Sequence, residues 1–390
     1  MTTAAAATGF LLERVDVPGG TAGWQGMLHR TGTSPVSVRF LTDGKRAGPP
    51  ELLDGLAIAL LPTAMRVGGS LHVRGPMTRG ALRNLTEYAE AWANWRPTAF
   101  RPVTITADRV IDGLRPPGNG DALFAWSGGL RSTHTLVRHL DRLVPGAFGV
   151  RAAVRIVGLE RDVSDTVRRD GEEDAFAALR AEGIEAMVVR TDARTRGVID
   201  PEIGVLPIVA AALHAVSADS TIGVHARSWD LIAQQRFPRP GPALPDLLCG
   251  DAFAVRADGG STSPPVMAGA LVGHPALAAA VSDCRRVPRP LHPCGRCPGC
   301  TLLALAFAAR GLPSPRSRRR LSVPGVVGLP FRDPIIAADA TATLEDWAGH
   351  PRGWRSVLRA RVVLNRAVID VRDHLRWAGA LVGLLPPWPR

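Results

Sequence analysis

Two stretches of the chain combine residue types and spacing that could do chemistry. The first is DALFAWSGGLRSTHTLVRHL, residues 121–140. A short apolar run leads into Ser127-Gly128-Gly129, and a helical pattern follows. Two glycines let a backbone approach an anion closely, and the first N–H groups of a helix have no intrahelical partner. Ser127, Ser132 and Thr133 add hydroxyls, and Arg131 adds a charge-assisted donor. The chemistry expected of Ser127, Gly128, Gly129, Leu130, Arg131, Ser132 and Thr133 is therefore the binding of phosphate.

The second stretch holds Cys284, Cys294, Cys297 and Cys300. Cys294-Gly-Arg-Cys297-Pro-Gly-Cys300 overlaps two CxxC steps that can wrap one tetrahedral ion, with Cys284 completing the set. The expectation is structural Zn2+. His292 is an alternative fourth ligand, and a set of ordinary reduced thiols is the plainer reading. Cys249 stands apart and reads as a small core or loop residue. Other candidates are weaker. His134 and His139 lie on the helix after the glycines and read as packed or solvated. His225 and Trp229 follow a strand where a ligand could pass. Asp162 and Asp192 near strand ends could ligate Mg2+ or simply make turns.

The elements that must position these residues alternate. Strand patterns at 121–126, 150–158, 184–190 and 221–226 are separated by helical patterns at 131–143, 170–182 and 203–216. Strands alternating with helices of 10 to 15 residues imply βαβ units and a parallel sheet. The glycine turn then sits at the carboxyl end of the first strand, where open α/β sheets bind ligands. An apolar helix is expected at 301–310, after the cysteines. Upstream, strands at 37–42, 70–74 and 102–107 and helices at 51–65 and 79–95, the latter capped by Thr78, suggest a separate α/β module. Downstream, a Pro-rich linker precedes helical stretches at 342–348 and 353–385. Three regions follow: 1–112, 120–312 with its cysteine segment, and 313–390.

SGGLRST resembles the SGGxDS loop of the PP-loop ATP pyrophosphatases. The four cysteines and the ALAFAARGLP helix after them are similar to the zinc segment of 7-cyano-7-deazaguanine synthases. The resemblance covers roughly residues 120–312. It implies a Rossmann-like parallel sheet with helices on both faces, of the adenine nucleotide α-hydrolase kind. It also implies ATP in the Ser127–Thr133 loop and adenylation of a carboxylate or carbonyl oxygen with release of pyrophosphate, leading to an amide, a nitrile or a similar nitrogen transfer. TDAR, residues 191–194, falls where relatives carry a nucleotide-facing loop. The departures are specific. Arg131 stands where the family has an acidic residue that helps arrange Mg2+, and a guanidinium cannot ligate a cation. No lysine follows Lys45, so the charge stabilisation falls to arginines, with Arg131 and Arg194 as candidates. The place of Mg2+ is thus left open. The alternative is a pseudoenzyme that keeps fold and zinc as a scaffold or partner subunit.

Composition bounds the rest. The net charge is +12, but every cation except Lys45 is arginine. That skew resembles a coding bias and weakens the usual inference from basicity to nucleic acid. The cluster Arg316, Arg318, Arg319 and Arg320 reads as a phosphate patch or a solvated linker, and a single Tyr argues against a base-stacking groove. Five cysteines, four of them clustered, suit a metal site in a reducing compartment rather than a disulfide scaffold. The start, MTTAAAATGFLLERVD, has no basic residue before its apolar run. A cytoplasmic protein without membrane spans is expected. It would act on a small-molecule or protein substrate, and the C-terminal helices would serve for homo- or hetero-oligomer contact.

Overall fold

The computed structural model describes residues 9–17, 22–42, 51–112, 121–159, 173, 175–227, 244–284, 294–295, 297–315, 321–331, 334–348 and 353–364. Lys45, Asp162, Trp229, His292, the arginines at 316–320 and the helical expectation beyond 364 lie outside these residues.

The protein is α/β, built on one large, mostly parallel sheet. Ten strands are described: β1 Gly9–Val15, β2 Gly23–Arg30, β3 Val36–Thr42, β4 Gly69–Thr78, β5 Val103–Ile111, β6 Ala122–Ala125, β7 Val150–Val157, β8 Ala186–Thr191, β9 Ile222–Ala226 and β10 Ala254–Asp258. They are ordered β10-β9-β6-β7-β8-β3-β2-β1-β4-β5. From β10 to β8 all neighbours are parallel. The chain starts this half at β6, moves outward to β7 and β8, then crosses back to β9 and β10. Strand order therefore reverses between β6 and β9, and the crossovers on either side of that point leave a crevice beyond the strand ends.

Alternation along the strands separates two faces. Leu123, Ala152 and Val154 enter one core with helices α1 (Asp54–Met65), α2 (Arg79–Trp95) and α4 (Leu206–Ala215). Ala122, Phe124 and Ala153 enter another with α3 (Leu130–Leu140), α5 (Pro264–Ala270), α6 (Pro275–Ala280) and α7 (Pro298–Ala308). Successive side chains point to opposite faces of a strand, so the parallel half is covered on both. Such strands read as continuous apolar runs, which is why ALFA and AMVV were visible as strands.

The N-terminal residues belong to the same sheet. β3 pairs antiparallel with β8 through Phe40 to Thr42 against Thr191 to Val189. Asp192, just past β8, accepts the Arg39 N–H and its Nε–H, both at 2.8 Å, and so clamps this seam. The sheet and the first core both cross the expected boundary near residue 112. α1 packs directly on α4, with Gly55 lying against His214. Thr78 caps α2 as expected, its hydroxyl accepting the Ala81 N–H at 3.1 Å.

The segment after Leu312 builds a third, smaller core. Helices α8 (Val323–Val327), α9 (Pro334–Glu345) and 353–364 contribute Val326, Ile336, Ala340, Leu358 and Val362, and the core rests on Leu305 of α7 and on Ala309 just past it. The helix expected at 342–348 instead runs Pro334–Glu345, since proline suits the first position of a helix and Ala337, Ala338, Ala340 and Ala342 favour helix. Among the described residues, no helix is long and apolar enough to cross a membrane.

Candidate functional site

The glycine turn opens into a cavity of about 430 Å3 at the point where the strand order reverses. β6 ends at Ala125 beside His225 of β9, and the chain turns through Ser127-Gly128-Gly129 into α3. Gly128 has φ +73°, a left-handed conformation that glycine adopts without the Cβ penalty. Its carbonyl accepts the Ser282 N–H at 2.9 Å, which ties the turn to the cysteine segment. Beneath the turn, the buried Arg155 of β7 donates through Nη1 to the Ser127 carbonyl. No sequence pattern singled out Arg155. An arginine inside an apolar strand, RAAVRIV, was the available signal.

Of the seven residues expected to cradle an anion, Ser127, Gly129, Leu130, Arg131 and Ser132 line the cavity. Gly128 faces Ser282, and Thr133 lies behind the turn, accepting the Trp126 indole N–H at 3.1 Å. Three of the turn's backbone donors have acceptors within the chain. Ser127 N–H reaches Ser132 Oγ at 3.2 Å, and Gly129 N–H reaches Ser127 Oγ at 3.3 Å. Leu130 N–H, at the start of α3, points to the Asp283 carboxylate at 3.4 Å. A carboxylate there is favoured by the helix dipole, as any anion would be.

Arg131 projects into the cavity and pairs through Nη2 with Asp339 of α9, each side chain less than a fifth exposed. Its Nη1 is buried and has no hydrogen-bond partner. Arg227, Asp283 and Asp339 also line the cavity, so its polar end carries two cations and two carboxylates. The remaining wall is apolar and includes Val154, Ile156, Val209, Met267 and Leu303. His225 stands on this wall, and burial, then the Arg227 charge, push its imidazole down to about 4. It is neutral at pH 7 and can accept a hydrogen bond.

The other candidates fall elsewhere. Arg194 does not line the cavity; its Nε donates to the Leu159 carbonyl at 2.6 Å and steadies one edge of the wall. Asp192 is held by Arg39 and Arg196. His139 lies between the Phe124 and Phe148 rings, at 5.1 and 5.5 Å. His134 is buried, and burial, then Arg138, push it down to about 4. Cys249 accepts the Val255 N–H at 3.0 Å and is a core residue.

The four remaining cysteines converge. Their sulfurs all lie within 4.8 Å of one another, and the Cys294–Cys300 and Cys284–Cys297 pairs are 4.0 Å apart. A tetrahedral zinc with Zn–S bonds of about 2.3 Å requires sulfur separations of roughly 3.8 Å, so the donor set fits the ion. Backbone N–H groups of Cys294 and Cys297 point to the sulfurs of Cys284 and Cys294, at 3.5 and 3.3 Å. The hydrogen bond with Cys297 and burial push the Cys300 thiol up. Metal ligation requires thiolates, whose charge a bound cation offsets. Gly299 makes the site compact, since a Cβ there would stand 2.0 Å from the Asp283 carbonyl. Asp283 and Gly299 line the cavity as well, so the cysteine cluster shapes one of its walls. These cysteines could hold a metal ion.

Comparison of the chain with family models, with curated proteins and with solved structures returned no match.

Proposed function

We propose that the protein is a divergent ATP-using synthase of the PP-loop pyrophosphatase kind, similar to the 7-cyano-7-deazaguanine synthases. On this reading its parallel half is a Rossmann-like, nucleotide α-hydrolase-like sheet, and its cysteines hold a structural Zn2+. The observation that supports it is the placement of the SGGLRST turn, which opens at the reversal of strand order into a cavity with an apolar wall and a polar end where Arg131 and Arg227 stand with Asp283 and Asp339. A triphosphate would lie along Ser127–Ser132 with Arg131 against its charge, and the base would rest on the Val154–Val209 wall. A substrate carboxylate or carbonyl oxygen would attack the α-phosphorus while the bond to pyrophosphate breaks. A nitrogen nucleophile would then displace AMP. Arg131, and the Leu130 N–H in place of its contact with Asp283, would stabilise charge as pyrophosphate leaves. His225, neutral at the cavity wall, would accept a hydrogen bond from that nucleophile, while burial and Arg227 disfavour its protonation. Zinc would supply no step. With four thiolates it has no open position, and it would hold Asp283 and Gly299 where they wall the cavity.

The reading is tested by titration calorimetry with ATP, with and without Mg2+, followed by an assay for pyrophosphate release with candidate acids. ATP binding together with acid-dependent pyrophosphate release is the expected result. Absence of ATP binding at millimolar concentration refutes it. One observation favours a second reading, a zinc-stabilised scaffold without chemistry: the Asp283 and Asp339 carboxylates already meet the Leu130 N–H and Arg131.

A further inference from the structure

The arrangement around Arg131 carries an inference of its own, which rests on the reading that this cavity takes an anionic ligand. In the described structure the two strongest anion-binding features of the cavity face side chains of the same chain. Asp339 engages Nη2 of Arg131, and Asp283 faces the N–H at the start of α3. Arg131 is nevertheless only half used. Its Nη1 is buried without a partner, while a guanidinium presents its donors as a planar fork suited to two oxygens of one anion. A buried, partnerless donor is costly, so the site is incomplete with Asp339 alone. A phosphoryl group could meet both nitrogens.

The position of Asp339 determines what its displacement would do. Ile336 and Asp339 are three residues apart on α9, hence on one helix face, and both line the cavity. α9 belongs to the third core, which rests on Leu305 of α7 and Ala309 just past it, and α9 also contacts α5. α7 in turn begins at the cysteine cluster, with Cys297 at its N-cap and Cys300 in its first turn. The C-terminal helices are therefore a covering unit seated on α7, with α9 also against α5, and the Arg131–Asp339 pair binds that unit to the glycine turn.

We propose that Asp339 is a built-in competitor for the anionic group of the ligand at Arg131, so that ligand binding and release of α9 from the cavity mouth are coupled. A ligand that binds the open state shifts the population toward it, and an acid-to-amide change at Asp339 does part of the same work in advance. Selectivity follows from the competition. A monoanion gains little over the carboxylate it replaces, whereas a polyphosphate can engage both nitrogens of Arg131 and, in place of Asp283, the Leu130 N–H.

The test uses the full chain with metal bound, inorganic tripolyphosphate and ATP as probes, and the variants Asp339→Asn and Arg131→Gln. Hydrogen exchange across 334–345 reports the cover, and calorimetry reports affinity. Tripolyphosphate is expected to raise exchange across 334–345 in the wild type. Asp339→Asn is expected to raise that exchange without ligand and to tighten tripolyphosphate tenfold or more, and Arg131→Gln to weaken it by a similar factor. An Asp339→Asn protein with unchanged or weaker affinity overturns the proposal. So does exchange across 334–345 that ignores the probe, or a lack of tripolyphosphate binding in both proteins. If the competition holds but ATP binds no more tightly than tripolyphosphate, the coupling stands and the ATP reading fails.

Discussion

Asp54 offers a quantitative check on the packing between the N-terminal elements and the parallel half of the sheet. It opens α1 and is almost wholly buried. Its Oδ1 accepts the Thr78 N–H at 2.9 Å and its Oδ2 accepts the Thr78 hydroxyl at 2.7 Å. That hydroxyl also accepts N–H groups from Ala81 and Asp251, at 3.1 Å each. One carboxylate thus joins the start of α1, the end of β4, the cap of α2 and the loop before β10. Burial outweighs the two hydrogen bonds and raises Asp54 from 3.8 to about 6. The folded state therefore holds the proton more tightly than the unfolded chain. Stability from this group is present below the unfolded value and is lost as pH rises through about 6. The difference between the two values corresponds to a loss on the order of 3 kcal/mol, of which roughly half falls above pH 5. Asp54→Asn removes the titration but leaves Thr78 with a poorer partner, so the absolute change at one pH mixes two effects. The slope does not. Urea unfolding of both proteins at several pH values from 5 to 8 should show the wild type losing about 1–2 kcal/mol relative to the variant as pH rises. A flat difference, or one of opposite sign, would refute the claim that burial dominates at Asp54.

Two further outcomes concern other parts of the fold. Removing metal with a chelator, or replacing Cys284 with Ser, should lower the melting temperature by several degrees and loosen the cavity wall at Asp283; an unchanged melt would show that the cysteines hold no stabilising ion. His274 bridges Glu182 and Asp141, at 2.8 and 3.0 Å, and so pins the start of α6 to the end of α3. Burial alone would lower its pKa, but these two carboxylates together outweigh burial and raise it. Its contribution is full below the unfolded value near 6.5 and is lost as pH climbs through the raised folded value, so the wild-type advantage over His274→Gln should shrink above neutrality.

Local chemistry was legible wherever it depended on neighbours in the chain. The Thr78 cap, the apolar strands of the parallel half and the left-handed glycine at the turn follow from propensity and spacing, and the CxxC steps place three sulfurs near one point before any fold is known. Strands β1 and β2 were not legible. Burial alternates along both in the folded sheet, but apolar Leu11 and Met27 stand at the less buried positions and Gly26 at a buried one, so the sequence pattern is blurred and pairing with β3 and β4 fixes the faces. The α/β class and the turn ahead of α3 were thus set by sequence alone. The surroundings of that turn were decided by tertiary contacts between residues far apart in the chain. Asp283 arrives through the cysteine segment, Asp339 through a helix 208 residues beyond Arg131, and Arg155 from the neighbouring strand. Charge partners of this kind are fixed by the path of the backbone through space, and no local pattern encodes which carboxylate will meet which guanidinium.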